Sequence, residues 1–171
     1  FMDINENQKA VSPSLRLDLA ENLNWDSPRV DSRMLALRSS IIKVLTRDAN
    51  SILYNKISVG EDNAKLTFRP FDEALKKSPL LPKGNFKSYT EDTDVCLYDC
   101  HMTDNGKAMS DSKKRISRLL KESYGYMQRN MENKYYDSYI ESNRGTFGFI
   151  VLLGSVYKYL IRKGILTQTV S

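Results

Sequence analysis

Cys96, Cys100 and His101 stand as Cys-x3-Cys-His, three side chains able to ligate a borderline metal such as zinc. A structural zinc site needs a fourth ligand and normally has paired ligands at both ends. On an extended strand Cys96 and Cys100 share one side while His101 faces the other. Two small buried thiols and a rim histidine are the simpler expectation, with no metal bound. Glu91, Asp92, Asp94 and Asp99 could gather a divalent ion, and Lys65 and Lys87 could complete a nuclease-like set. No spacing compels that set, and a solvated acidic loop needs no special cause. The chain holds one histidine, no P-loop or GxGxxG phosphate-binding run and no HExxH motif. No catalytic residue, no cofactor and no enzymatic activity are therefore expected.

The sharper chemistry is electrostatic. Between residues 107 and 121, six bases (Lys107, Lys113, Lys114, Arg115, Arg118 and Lys121) face one acid, Asp111. Residues 1–26 and 86–104 are net acidic, so charge is segregated beyond what the formal +5 of the chain suggests. Such a basic segment suits an anionic partner or an acidic patch on another copy. Lys114, Arg118 and Lys121 recur at four and three, which places them on one side of a helix. Tyr124 and Tyr126 could stack on unpaired bases, with Arg129 extending the patch. The plainer alternative is a solvated basic face whose tyrosines pack on core.

These residues must be positioned by the elements around them. The helix carrying the basic patch begins near Ser110, with Ile116, Leu119, Leu120, Met127 and Met131 on its buried side. A break at Asn143-Arg144-Gly145 precedes a final helix over about 146–161, apolar on nearly every side. That pattern marks a central core helix or a membrane span. Only Thr146–Tyr157 is free of charge, against the roughly 20 apolar residues a span needs. The core reading follows, with no transmembrane segment and Gly164 ending the helix.

Upstream, residues 1–25 have little periodicity and read as an arm carrying the only Trp, Trp25. Asp26-Ser27-Pro28 opens a helix whose apolar positions run from Val30 to Leu45, with Arg29, Arg33, Arg38 and Lys43 off that face. Alternation over 51–69 around Gly60-Glu61-Asp62-Asn63 predicts an antiparallel hairpin, ended by Pro70. Phe71–Lys77 is at most a short helix. A loop over 78–94 leads to a third predicted strand over 95–102.

Asn143-Arg144-Gly145-Thr146 ahead of the apolar helix resembles the Asn-Trp-Gly-Arg start of a buried helix in the B-cell-lymphoma-type apoptosis regulators. That resemblance implies an all-helical fold. It covers fewer than about twenty residues, with Arg144 where that family has Trp and Thr146 where it has Arg. The predicted strands contradict the fold it implies, so membership is not adopted.

The sequence therefore predicts an N-terminal arm over 1–25 and a single α+β domain over 26–171. A small antiparallel sheet packs with three main helices, the C-terminal one central. The first functional expectation is a non-catalytic protein that binds nucleic acid through Lys107, Lys113, Lys114, Arg115, Arg118, Lys121, Tyr124, Tyr126 and Arg129. The alternative is a self-assembling or adaptor protein, of the kind found in viral matrices, using the same face on an acidic protein or an anionic membrane surface. Cys96 and Cys100 are too close in sequence to staple distant elements, which suggests reduced thiols. With no basic-then-apolar leader at the start, an intracellular setting, cytoplasm or nucleus, is expected.

Overall fold

The most enclosed element is not the apolar C-terminal helix but the mixed one near the start. The computed structural model describes residues 13–60, 63–83, 96–100 and 102–166, and of 13–17 the backbone alone. Helix α1 (Pro13–Asn24) leads to α2 (Val30–Arg47), and twelve of the eighteen residues of α2 are buried. Its apolar face supplies Leu37, Ile41, Ile42 and Leu45, all with no exposed surface. Its polar face is covered too, because each buried cation there has a partner. Arg38 donates to Asp72 at 2.7 Å, Lys43 binds Asp18 and Glu21, and Arg33 donates to the Ser27 carbonyl at 2.6 Å. Pairing is what lets charge enter an interior.

The antiparallel sheet is not formed. β1 (Ile57–Ser58) and β2 (Leu66–Thr67) are two residues each and run parallel, with Ile57 opposite Leu66. The residues before β1 make successive turns instead, Tyr54 N–H to Ser51 O at 3.0 Å and Lys56 N–H to Leu53 O at 3.0 Å. Leu53 and Ile57, both fully buried, are four apart and meet the core at helical spacing rather than by alternation. Asn55 takes a left-handed conformation, φ 56°, to close this turn. Thr46 brackets β1, its hydroxyl donating to the Ile57 carbonyl at 3.1 Å and accepting from the Ile57 N–H at 3.3 Å.

Pro70 does not end a strand. It sits in the first turn of α3 (Phe68–Lys77), where a helix has no use for its missing N–H. The strand predicted over 95–102 is also absent where it is described: Cys96–Cys100 forms bends, tied to the core by Leu97 N–H to Leu80 O at 2.9 Å. Val95 and His101 lie outside the described residues.

α4 (Asn105–Asn130) starts earlier than predicted because Asp104 caps it, accepting from the Lys107 N–H at 3.0 Å. It packs on α2 and buries Met109, Ile116, Leu120 and Tyr124. The chain then makes one turn, α5 (Asn133–Tyr135), and a π-helical turn at Tyr136–Ile140. Ser142 caps α6 (Asn143–Arg162) by accepting from the Gly145 N–H at 3.0 Å. Gly145 is required there, since any Cβ would overlap the Tyr139 carbonyl. Gly164, at φ 68°, ends the helix as its sequence position implies.

α6 is not central. Of its residues only Thr146, Ile150 and Gly154 are buried, and they press one face onto α3 and Ser78. Thr146 and Gly154 on that face bring the helices close, while Leu152, Val156 and Tyr159 face outward.

Candidate interaction surface

α4 scatters the predicted basic patch. Lys107, Lys114, Arg118 and Arg129 are exposed and Arg115 is half-buried. Lys107, Lys114 and Arg118 share one side, at spacings of seven and four. Arg118 donates to Glu122 at 2.8 Å, an exposed pair that raises its pKa and leaves it on the open side. Lys121 is drawn to Asp48 at the end of α2, at 2.5 Å. The hydrogen bond from Lys121 holds the Asp48 carboxyl below its ordinary range. Lys113 turns inward, its ammonium 5.6 Å from the Trp25 ring centre.

The two tyrosines part company. Tyr126 is exposed and available. Tyr124 is fully buried, edge-on to Phe149 with ring centres 4.9 Å apart and stacked with Phe71 at 6.5 Å. Burial pushes its phenol pKa well above the usual range. It is a core aromatic and cannot stack on a base.

What the sequence reading missed is the outer face of α6. Leu152, Val156 and Tyr159 are 62%, 44% and 58% exposed, and Ile165 and Leu166 continue past the helix end. Residues 149, 152, 153, 156, 159 and 160 repeat at three and four, so Phe149, Leu152, Leu153, Val156, Tyr159 and Leu160 form one stripe. Where it borders α4 it deepens into a groove of about 520 Å³. Leu119, Met127, Phe149 and Leu153 floor the groove, with Tyr126, Glu122 and Arg129 on its rim. From Asn143 to Leu166 there is no acidic residue, while Arg144, Lys158, Arg162 and Lys163 are basic. The α6 side of the surface is thus apolar along its middle with only basic charges at its ends, while the α4 rim carries Glu122 as well as Arg129. The sequence signal was present, as an apolar run wider than one core-facing stripe requires.

The other candidate chemistries gain no support. Among the described residues no three His, Cys, Asp or Glu side chains gather as a metal site. Cys96 is buried with its thiol 3.3 Å from the Tyr98 carbonyl, and Cys100 is half-buried; neither is in a disulfide. Glu91, Asp92, Asp94 and Lys87 lie outside the described residues. Lys65 is engaged by Glu141 at 2.9 Å and Asp137 at 3.3 Å. Burial works against its charge, but these two carboxylates hold its pKa above the ordinary lysine value. No helix among the described residues is long and apolar enough to cross a membrane.

No protein family, curated protein or solved structure matches this chain. The likeness at Asn143-Arg144-Gly145 therefore stands on those residues alone.

Proposed function

We infer that this chain is a non-catalytic protein-interaction module that receives an apolar, acid-flanked partner between α4 and α6. The observation that carries the reading is the outward stripe of α6, with Leu152 62% and Tyr159 58% exposed beside an apolar groove. Contiguous exposed apolar surface of this kind marks interaction sites. Covering one such side chain is worth about 1.5–3 kcal/mol before the costs of association. An apolar floor beside α6, whose charged residues are all basic, suits a helix laid in a groove with carboxylates on the side toward α6.

The test is titration with a fluorescent amphipathic helix of about 18 residues, five turns, carrying Leu on one face and Glu on the other. Wild type should bind saturably, Leu153→Glu should bind at least tenfold more weakly, and a version with Lys in place of Glu should bind worse. Equal binding of the Glu and Lys helices, or none of either, would sink the reading.

Nucleic-acid binding remains a second reading, favoured by Lys107, Lys114 and Arg118 on one open side of α4. It predicts an affinity for single-stranded oligonucleotides that falls steeply with salt. That affinity should disappear in Lys114→Glu/Arg118→Glu. A double variant that binds as well as wild type removes it.

A further inference from the structure

Ser40, Lys43 and Arg47 stand three and four apart on α2, the spacing of one helix face. A face of that composition is ordinarily left to water. Here α1 lies against it. Lys43 is 6% exposed, with Asp18 and Glu21 of α1 as its partners. Ser40 is 1% exposed, and its hydroxyl makes no hydrogen bond among the described residues. The cover is not close-packed. A cleft of about 520 Å³ lies where α1, α2 and α4 meet, and its lining includes Asp18, Glu21, Ser40, Lys43, Arg47 and Lys113.

This cleft already holds an anionic group, the Asp18 carboxylate. It is bound to the Lys43 ammonium and stands 3.8 Å from the Arg47 guanidinium. Glu21 also binds Lys43, at 2.7 Å. Three cations and two acids line the cleft, so its own carboxylates leave one positive charge unmatched. Asp18 and Arg47 are its open end, with side chains 39% and 53% exposed. Lifting residues 18–24 would return Ser40, Lys43 and Arg47 to water, which polar groups accept at little cost. Just after the helix Trp25 packs partly buried on the core, 5.6 Å from the Lys113 ammonium. It is a fixed point about which α1 can turn.

We propose that this cleft binds a phosphate-bearing anion, and that α1 is an acidic strap competing with it. The phosphate takes the place of Asp18 and Glu21 on Lys43, with Arg47 and Lys113 as further cationic contacts and the Ser40 hydroxyl as a donor. A phosphate carries about −1.5 to −2 at neutral pH, close to the charge of the two carboxylates it replaces. Lys43 is therefore compensated before and after the exchange. A phosphate also offers several acceptor oxygens to several cations at once, which one carboxylate cannot. The site is separate from the α4–α6 groove, and neither reading depends on the other.

Calorimetric titration of the full chain with inorganic pyrophosphate, at constant ionic strength, tests this. Wild type should bind saturably, and protease should cut α1 faster at saturation than in the free chain. Arg47→Ala and Lys113→Ala should each bind at least tenfold more weakly. Asp18→Asn, which removes the charge of the competitor, should bind at least tenfold more tightly. Circular dichroism checks that each variant is folded. A short oligothymidylate distinguishes the sources of the phosphate. If it binds and pyrophosphate displaces it, the ligand is a nucleic-acid backbone; if pyrophosphate alone binds, the ligand is a small phosphate.

A wild-type chain that binds neither probe overturns the proposal. An Asp18→Asn variant that binds pyrophosphate no more tightly than wild type does so too, because α1 is then no competitor. Saturation that leaves α1 as protected as before removes the strap. Binding of the oligonucleotide alone, uncontested by pyrophosphate, puts it on the open side of α4 and likewise overturns the proposal.

Discussion

Gly154 on α6 and Ser78 at the end of α3 occupy one another's space. A Cβ at Gly154 would overlap the Ser78 hydroxyl and stand 3.0 Å from Pro79 Cδ. That hydroxyl donates to the Ile150 carbonyl of α6 at 3.2 Å. The crossing of α3 and α6 is set at this point, and with it the direction in which the outer stripe of α6 faces.

Two glycines of α6 should therefore respond oppositely to alanine. Gly154→Ala forces the helices apart and should cost about 1–3 kcal/mol. Gly148 has open space where a Cβ would go, so Gly148→Ala should gain about 0.5–1 kcal/mol of helix stability. Thermal unfolding reads both, at about 2–4 °C per kcal/mol in a chain of this size. A stabilising Gly154→Ala would mean the α3–α6 contact is looser than described.

Acid should release α1 before it unfolds the rest. The hydrogen bond from Lys43 holds the Asp18 carboxyl below its ordinary value of 3.8. A carboxyl with a depressed folded-state pKa stabilises above its unfolded value, and that stability is lost as pH falls through the folded one. The clip is thus intact at pH 5, begins to weaken near the ordinary carboxyl value of about 4 and is lost as pH falls through the lower folded one. Trp25 follows α1 and is the only tryptophan, so its fluorescence should change in that window while far-ultraviolet circular dichroism changes little. Lys43→Met should abolish the early transition and leave α1 open to proteolysis near neutral pH. An unchanged acid profile in that variant would show that something other than this ion pair holds α1.

Glu141 is 3% exposed and accepts from Lys56 at 2.8 Å and Lys65 at 2.9 Å, joining the π-helical turn to the segment around β1 and β2. The two lysines are 35% and 47% exposed, so the arrangement is asymmetric. Glu141→Gln keeps an acceptor, and both lysines can turn to water; it should cost about 1–2 kcal/mol. Lys56→Met/Lys65→Met strands a buried carboxylate and should cost about 3–5 kcal/mol. Urea unfolding ranks the two, and a double variant as stable as Glu141→Gln would show that the carboxylate is reached by water.

Much of the helical framework was legible because its signals are local. The existence of a break before the last helix, the helix end at Gly164 and the buried positions Ile116 and Leu120 all show in windows of a few residues. The break itself falls at Glu141-Ser142, and Asn143-Arg144-Gly145 is already the first turn of α6. The rest depended on distant partners. Arg38 and Asp72 are 34 apart, and Lys56 and Glu141 are 85 apart. No local pattern shows that such pairs will meet, so α2 read as amphipathic and α6, uniformly apolar, as the core. The hairpin failed for a related reason: Leu53 and Ile57 fit a period of two and also a spacing of four, and turns through Ser51 and Leu53 chose the second. In the basic patch, the composition was readable but the facing was not. Tyr124 and Lys113 lie on the inward side of a helix whose outward side holds Lys107 and Lys114.

Tyr124 makes that facing testable. Its ring is fully buried and its hydroxyl makes no well-formed hydrogen bond, Thr146 being its nearby polar neighbour. A buried hydroxyl left unsatisfied is a cost, so removing it is cheap. Tyr124→Phe should leave stability within about 1 kcal/mol of wild type, or raise it. Tyr124→Ala removes the ring between Phe71 and Phe149 and should cost about 3–5 kcal/mol. The nucleic-acid reading with Tyr124 as a stacking platform expects the reverse order of importance: little loss of stability in Tyr124→Ala and a loss of oligonucleotide affinity. Urea unfolding beside an oligonucleotide titration of the two variants decides between them, and a stable Tyr124→Ala would return this residue to the surface.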